Sequence, residues 1–141
     1  MSGNDPFFDT SVLLYLLSED AAKADRAESL IAAGGVISVQ VLNEFAAVAL
    51  RKHALSHGEI REVLDPIRRI CRLVPLMQET HDLGLRLAER YGFSLYDSVI
   101  VAAALLAGCV TLYTEDLQHG QRIEERLLVC DPFRGMGEVP A

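Results

Sequence analysis

Hydrophobic positions in this chain fall into two alternating kinds of run. Short apolar blocks at Pro6-Phe7-Phe8, Val36-Ile37-Ser38, Leu73-Val74-Pro75-Leu76 and Val110-Thr111-Leu112-Tyr113 have the length and the aromatic or β-branched content of buried strands. Leu127-Leu128-Val129-Cys130 reads as a short fifth strand. Between them, longer segments predict helices over 12–17, 21–33, 40–53, 56–70, 79–91 and 94–107. Local signals bound several of these. Asp9-Thr10-Ser11 can cap the first, Ser56-His57-Gly58-Glu59 fits a capping box, and Gly34-Gly35, Gly92 and Gly108 close three others. Pro66 is expected to kink or restart its helix, and Pro75 to mark a strand end or a sheet edge.

Strands alternating with helices imply an α/β fold of three layers, a central parallel sheet of about five strands with helices on both faces. In such sheets ligands bind outside the carboxyl ends of the strands. At 141 residues, with no linker and no repeat, the expectation is one domain over 1–141.

Composition narrows the class. The formal net charge of -7 argues against a basic clamp on nucleic acid, so an acidic protein acting on phosphates would need another cation. Its basic set is eleven Arg against Lys23 and Lys52. Arg51, Lys52, Arg68, Arg69 and Arg72 serve equally as an RNA path or as a solvated face. Three widely spaced cysteines, Cys71, Cys109 and Cys130, read as free thiols in a reducing cytoplasm. The first six residues lack the basic region of a signal peptide, and the uncharged stretch 98–114 is broken by Gly108, so no membrane association is expected.

Three stretches are nearly devoid of charge, and each holds one acid: Asp9 within 6–18, Glu44 within 36–50 and Asp97 within 93–114. A fourth, Asp116, follows the strand ending at Tyr113. Burying an ionised carboxylate is costly unless it is paired or metal-bound, and no basic residue accompanies these acids locally. Asp9 and Asp116 are expected after strand ends, Glu44 and Asp97 in the first turns of helices, all on one rim. Four carboxylates there would repel and raise one another's pKa without a cation. Hard oxygen ligands without His or Cys favour Mg²⁺ or Mn²⁺. Taken singly, each acid has a plainer reading: Asp9 as an N-cap, Asp97 in a capping box with Ser94, Asp116 as the cap of a helix at Leu117, Glu44 paired with Arg51.

Phe8-Asp9-Thr10-Ser11-Val12-Leu13, Asn43-Glu44, Asp97-Ser98-Val99-Ile100-Val101-Ala102-Ala103 and Leu112-Tyr113-Thr114-Glu115-Asp116-Leu117-Gln118 occur in an order and spacing that resemble the PIN-domain ribonucleases, and within them the VapC-like toxins. The resemblance spans nearly the whole chain. It implies a pocket binding Mg²⁺ or Mn²⁺, endonuclease activity on RNA, a homodimer, and silencing by a cognate antitoxin protein. It places Asp9, Glu44, Asp97 and Asp116 in the family's acidic positions and Thr114 in its hydroxyl position. Ser11 stands where Asn is commoner, and Glu115 competes with Asp116 for the fourth acid.

Metal-assisted hydrolysis by one or two ions follows, with Asp9 and Asp97 as principal ligands, Asp116 completing the site, Glu44 holding water or acting as base, and Thr10 or Thr114 positioning groups. A dehalogenase-like phosphatase would want a second Asp at position 11, a receiver domain a late Lys, and the glycine-rich nucleotide motifs are missing. The competing class is a catalytically idle PIN-like module that binds a partner through apolar surface near 41–50 and 12–17. His53, His57, His81 and His119 lack ligand spacing and read as surface or capping residues.

Overall fold

The computed structural model describes residues 5–136. Its elements are β1 (Phe7–Phe8), α1 (Thr10–Leu14), a 3₁₀ turn (Tyr15–Leu17), α2 (Ala21–Ala32), β2 (Val36–Ser38), α3 (Val39–Lys52), α4 (His57–Ile70), β3 (Arg72–Val74), α5 (Gln78–Tyr91), α6 (Leu95–Leu106), β4 (Thr111–Tyr113), β5 (Arg122–Ile123) and β6 (Leu127–Cys130). The strands form one sheet in the order β3-β2-β1-β4-β6-β5. Five are mutually parallel and β5 lies antiparallel to β6.

The burial of β1 accords with its parallel pairing on both sides. Phe7 and Phe8 are both fully buried, as expected of a parallel strand covered on its two faces. Phe7 pairs with Val36 on one side and Leu112 on the other. From β1 the chain steps outward to β2 and β3, then returns across the sheet to β4. Right-handed crossovers in opposite directions put helices on opposite faces. The order therefore reverses between β1 and β4, where open α/β sheets place their ligands. Core packing joins β1, β2 and β4 to Val12, Leu13, Phe45 and the buried run from Ile100 to Leu105.

Several local expectations shift. The first helix starts two residues early, at Thr10, because Asp9 accepts the Ser11 N–H, and it tightens to 3₁₀ from Tyr15. α4 passes through Pro66 unbroken. Pro66 and Glu62 are both exposed, so the carbonyl that loses its partner faces solvent. β3 ends before Pro75 and is an edge strand. The sheet is mixed, because the two-residue strand β5, carried by a hairpin through Glu124 and Glu125 at positive φ, joins it antiparallel. All three cysteines are free; Cys71 and Cys109 are buried, Cys130 only half-buried. No helix among the described residues is long and apolar enough to cross a membrane.

Candidate active site

Asp9 follows β1 directly and caps α1. It is 4% exposed, yet its hydrogen bonds converge on a single oxygen. Oδ2 accepts the Thr114 hydroxyl at 2.7 Å, the Ser11 hydroxyl at 2.9 Å and the Ser11 N–H at 3.4 Å. Each of those hydroxyls also accepts a backbone N–H from the segment after β4: Ser11 from Glu115 at 3.3 Å, Thr114 from Asp116 at 3.0 Å. Two hydroxyls thus fasten the loops after β1 and β4 to the same carboxylate. Ser11, short as it is, supplies both a donor and an acceptor here.

Asp116 has no helix to cap, since Leu117 lies in a bend. It stands at the open rim, but its carboxyl is pushed up to about 7, first by burial, then by the charge of Asp9, a side-chain hydrogen bond with Asp9, and the charges of Asp97 and Glu115. Asp9 and Asp116 are therefore near neighbours on this rim. Glu115 turns elsewhere: it accepts the Tyr15 hydroxyl at 2.6 Å. Burial together with this bond and the charge of Glu115 drives the Tyr15 phenol well above its ordinary value, so it remains a donor.

Asp97 lies in the first turn of α6, held at that place by Ser94, whose hydroxyl accepts the Asp97 N–H at 3.1 Å. Only this half of the expected capping box forms. Burial raises the Asp97 carboxyl, the Ser94 hydrogen bond holds it back, and the charge of Asp9 adds to the rise. Asp97 is therefore within electrostatic reach of Asp9.

Glu44 sits in the second turn of α3, not the first. Ser38 ends β2 and caps the helix at once by accepting the Val41 N–H, so α3 begins earlier than its apolar spacing suggests. The Glu44 carboxylate accepts the Thr10 hydroxyl at 3.0 Å and the Gln40 amide at 2.9 Å. No ion pair with Arg51 forms among the described residues; the salt bridge found there joins Arg90 to Glu124 at 3.1 Å. Gln40 is a functional neighbour that the sequence reading missed, although its i, i+4 spacing to Glu44 was a usable signal.

A cleft of about 420 Å³ opens beside these groups, lined by Thr10, Tyr15, Glu44, His53, Glu115 and Asp116 among others. His53 was assigned no role from sequence, yet it reaches this cleft from the end of α3. His119 joins two loops, its Nδ1 accepting the Asp131 N–H at 3.0 Å. Among the described residues, no three His, Cys, Asp or Glu side chains stand together closely enough to hold a metal ion as arranged. What is brought together is the Asp9–Asp116 pair, with Asp97 in range and Glu44 tied to the same helix start through Thr10.

Residues 7–123 match the family model described as the PIN domain. The chain belongs to the PIN domain family. Solved structures share the fold of this PIN domain. VapC20 of Mycobacterium tuberculosis, a toxin that cleaves the sarcin-ricin loop, superposes with TM-score 0.65 at 19% identity, over 79% of this chain and 89% of its own. A toxin-antitoxin complex from Klebsiella pneumoniae gives 0.67 at 22% identity, over 90% and 97%. VapBC2 of Rickettsia felis, bound to a promoter DNA fragment, gives 0.64 at 18%, over 88% and 96%. At these identities the likeness is one of fold. No curated protein sequence matches the chain significantly.

Proposed function

We propose that residues 1–141 form a single PIN domain that hydrolyses RNA phosphodiester bonds with Mg²⁺, for which Mn²⁺ can substitute, as the cytoplasmic toxin of a toxin-antitoxin pair. The observation that carries this is the Asp9–Asp116 pair. The buried Asp9 carboxylate and the Asp116 backbone meet on the Thr114 hydroxyl at the switch point of the sheet, the charge of Asp9 raises the Asp116 carboxyl, and no salt bridge reaches either acid among the described residues. Carboxylates so placed want a cation. Oxygen donors alone fit a hard divalent ion.

Asp9 and Asp116 would hold the ion, with Asp97 and Glu44 completing its surroundings directly or through water. Bound there, a divalent ion supplies positive charge to the phosphate and lowers the pKa of the attacking water. The rest belongs to the chain. Ser11 and Thr114 fix the orientation of Asp9. Thr10 and Gln40 aim Glu44, whose carboxylate can take up a proton from water. Asp116 surrenders its proton as the site fills. The antitoxin is supported by shared fold with toxins solved in complexes, such as the one from Klebsiella pneumoniae, and the homodimer by the family resemblance.

One observation favours the idle-module reading, namely that no ready three-ligand cluster exists among the described residues. Both readings meet the same experiment. Purified protein is incubated with a cellular RNA pool and Mg²⁺ or Mn²⁺, with EDTA, Asp9→Asn and Asp97→Asn as controls. Discrete metal-dependent cuts, lost in both variants, are expected. A folded protein that cuts nothing and binds no Mn²⁺ would be the idle module.

A further inference from the structure

Immediately beside the acids, on the far side of Glu44 from the main cleft, lies a second groove of about 320 Å³ lined by Gln40, Glu44, Ala47, Val48, Arg51 and Tyr96. Glu44 and Val48 border both hollows, so they form the ridge between them. Tyr96 is 66% exposed, the most exposed of the large apolar side chains among the described residues, although it directly precedes Asp97. Its hydroxyl makes no hydrogen bond, and Arg51 makes no salt bridge, among the described residues. An aromatic ring left open to water and an uncommitted guanidinium thus share one groove at the edge of the acidic site.

Packing does not account for the ring. The core side of α6 is built from Ser98 to Leu105, and the first turn needs only Ser94 and Asp97 for its cap. Glu44 is the one acid lining the groove, and both of its oxygens already accept protein donors, Thr10 and Gln40. Arg51 therefore faces the groove as its unmatched charge. A single strand of nucleic acid offers what these two groups recognise: an unpaired base with a π-face and a phosphate next to it.

We propose that this groove is the subsite for the nucleotide adjoining the cleaved bond, with its base stacked on Tyr96 and its phosphate held by Arg51. The strand then crosses the Glu44–Val48 ridge into the main cleft, which His53, two residues after Arg51, helps to line. Stacking favours unpaired RNA over duplex and tolerates many bases. The inference rests on the ribonuclease reading, since it assigns a part of that same substrate.

The test uses the Asp9→Asn protein, in which cleavage should be lost, and a mixed-sequence single-stranded RNA containing 2-aminopurine. Binding with quenched fluorescence is expected. Adding Tyr96→Ala should weaken binding about tenfold and abolish the quenching, while Tyr96→Phe keeps both. Arg51→Ala should weaken binding, keep the quenching and flatten the salt dependence of log Kd by about 0.7. Unchanged melting of each variant shows that the fold is kept. Equal binding and quenching by Tyr96→Ala, or no binding by the parent, overturns the subsite. If native protein cuts the RNA pool and Tyr96→Ala cuts it with the same KM, the subsite falls and the ribonuclease stands. If native protein cuts nothing with either metal and binds no Mn²⁺, the ribonuclease reading itself falls.

Discussion

Thr114 donates its hydroxyl to Asp9 Oδ2 at 2.7 Å across 105 positions of sequence, and the same hydroxyl accepts the Asp116 N–H at 3.0 Å. One buried side chain therefore ties the Asp9 carboxylate to the backbone that carries Asp116. Thr114→Val keeps the shape and removes both bonds. Hydrogen bonds to buried charges carry more than neutral ones, so stability should fall by about 1–3 kcal/mol in urea unfolding. Mn²⁺ affinity, read by calorimetry, should fall roughly 10- to 100-fold, and Thr114→Ser should retain most of both. Wild-type Mn²⁺ affinity in the valine variant would show that Asp9 is held adequately by Ser11 alone.

Asp9→Asn separates charge from shape. The amide can still accept from Thr114 and Ser11, so melting of the metal-free protein should stay level or rise as repulsion with Asp116 disappears. RNA cleavage should drop at least about a hundredfold, and the rise in melting temperature on adding Mn²⁺ should vanish. A variant that unfolds instead would mark Asp9 as a structural residue first.

Asp9, Glu44 and Asp97 were legible because each was a lone charge in sequence otherwise fit for the core, Asp116 because it follows the strand ending at Tyr113, and the alternation of short apolar blocks with helical spacing located five of the six strands. The groups that aim the acids were not legible. Tyr15 meets Glu115 across 100 positions, and Thr10 meets Glu44 across 34, contacts that exist only once β1, β2 and β4 are adjacent. β5 was invisible for a related reason. Its two residues have no period, and its turn places Glu124 at φ 53 and Glu125 at φ 57, with Glu124 held by Tyr91 and Arg90 from α5. Glu44 falls in the second turn whether α3 is counted from Val39 or from Gln40, so its distance from the helix start was misjudged, not shifted by the fold.

The Asp116 carboxyl sets a direction for pH. Its folded value of about 7 lies above the ordinary 3.8, so between those values the folded chain holds a proton that the unfolded chain has lost. The stability it confers is full below the ordinary value and is lost as pH rises through 7. Metal binding must expel that proton, so Mn²⁺ affinity should climb with pH up to about 7 and level off above it. Calorimetry in buffers of different ionisation heat should count close to one proton released per ion below pH 7. Asp116→Asn should remove that proton and flatten the slope. Because the residue is open to solvent on one side, high salt should shrink the effect. A pH-independent Mn²⁺ affinity in the wild type would place the ion away from Asp116.

Gly84 tests how firmly the scaffold fixes the site. It lies where α5 meets α6, and an added Cβ would come within 2.9 Å of Val99 Cγ2 and 3.2 Å of Val99 Cα. Val99 is two residues past Asp97 in the same helix, so relief of that clash has to shift the element that carries the acid. Alanine improves helix propensity by about 1 kcal/mol, while overpacking of this kind costs about 1–3 kcal/mol. Crowding against backbone atoms should win, because Val99 Cα cannot turn away as a side-chain tip can. Gly84→Ala should therefore lower stability in urea and weaken Mn²⁺ binding together, whereas a surface glycine such as Gly58, with only Ser56 Oγ at 3.8 Å, should tolerate alanine with neither loss. If Gly84→Ala lowered stability but left Mn²⁺ affinity and cleavage intact, Asp97 would lie outside the metal's reach and Asp9 with Asp116 would carry the ion alone.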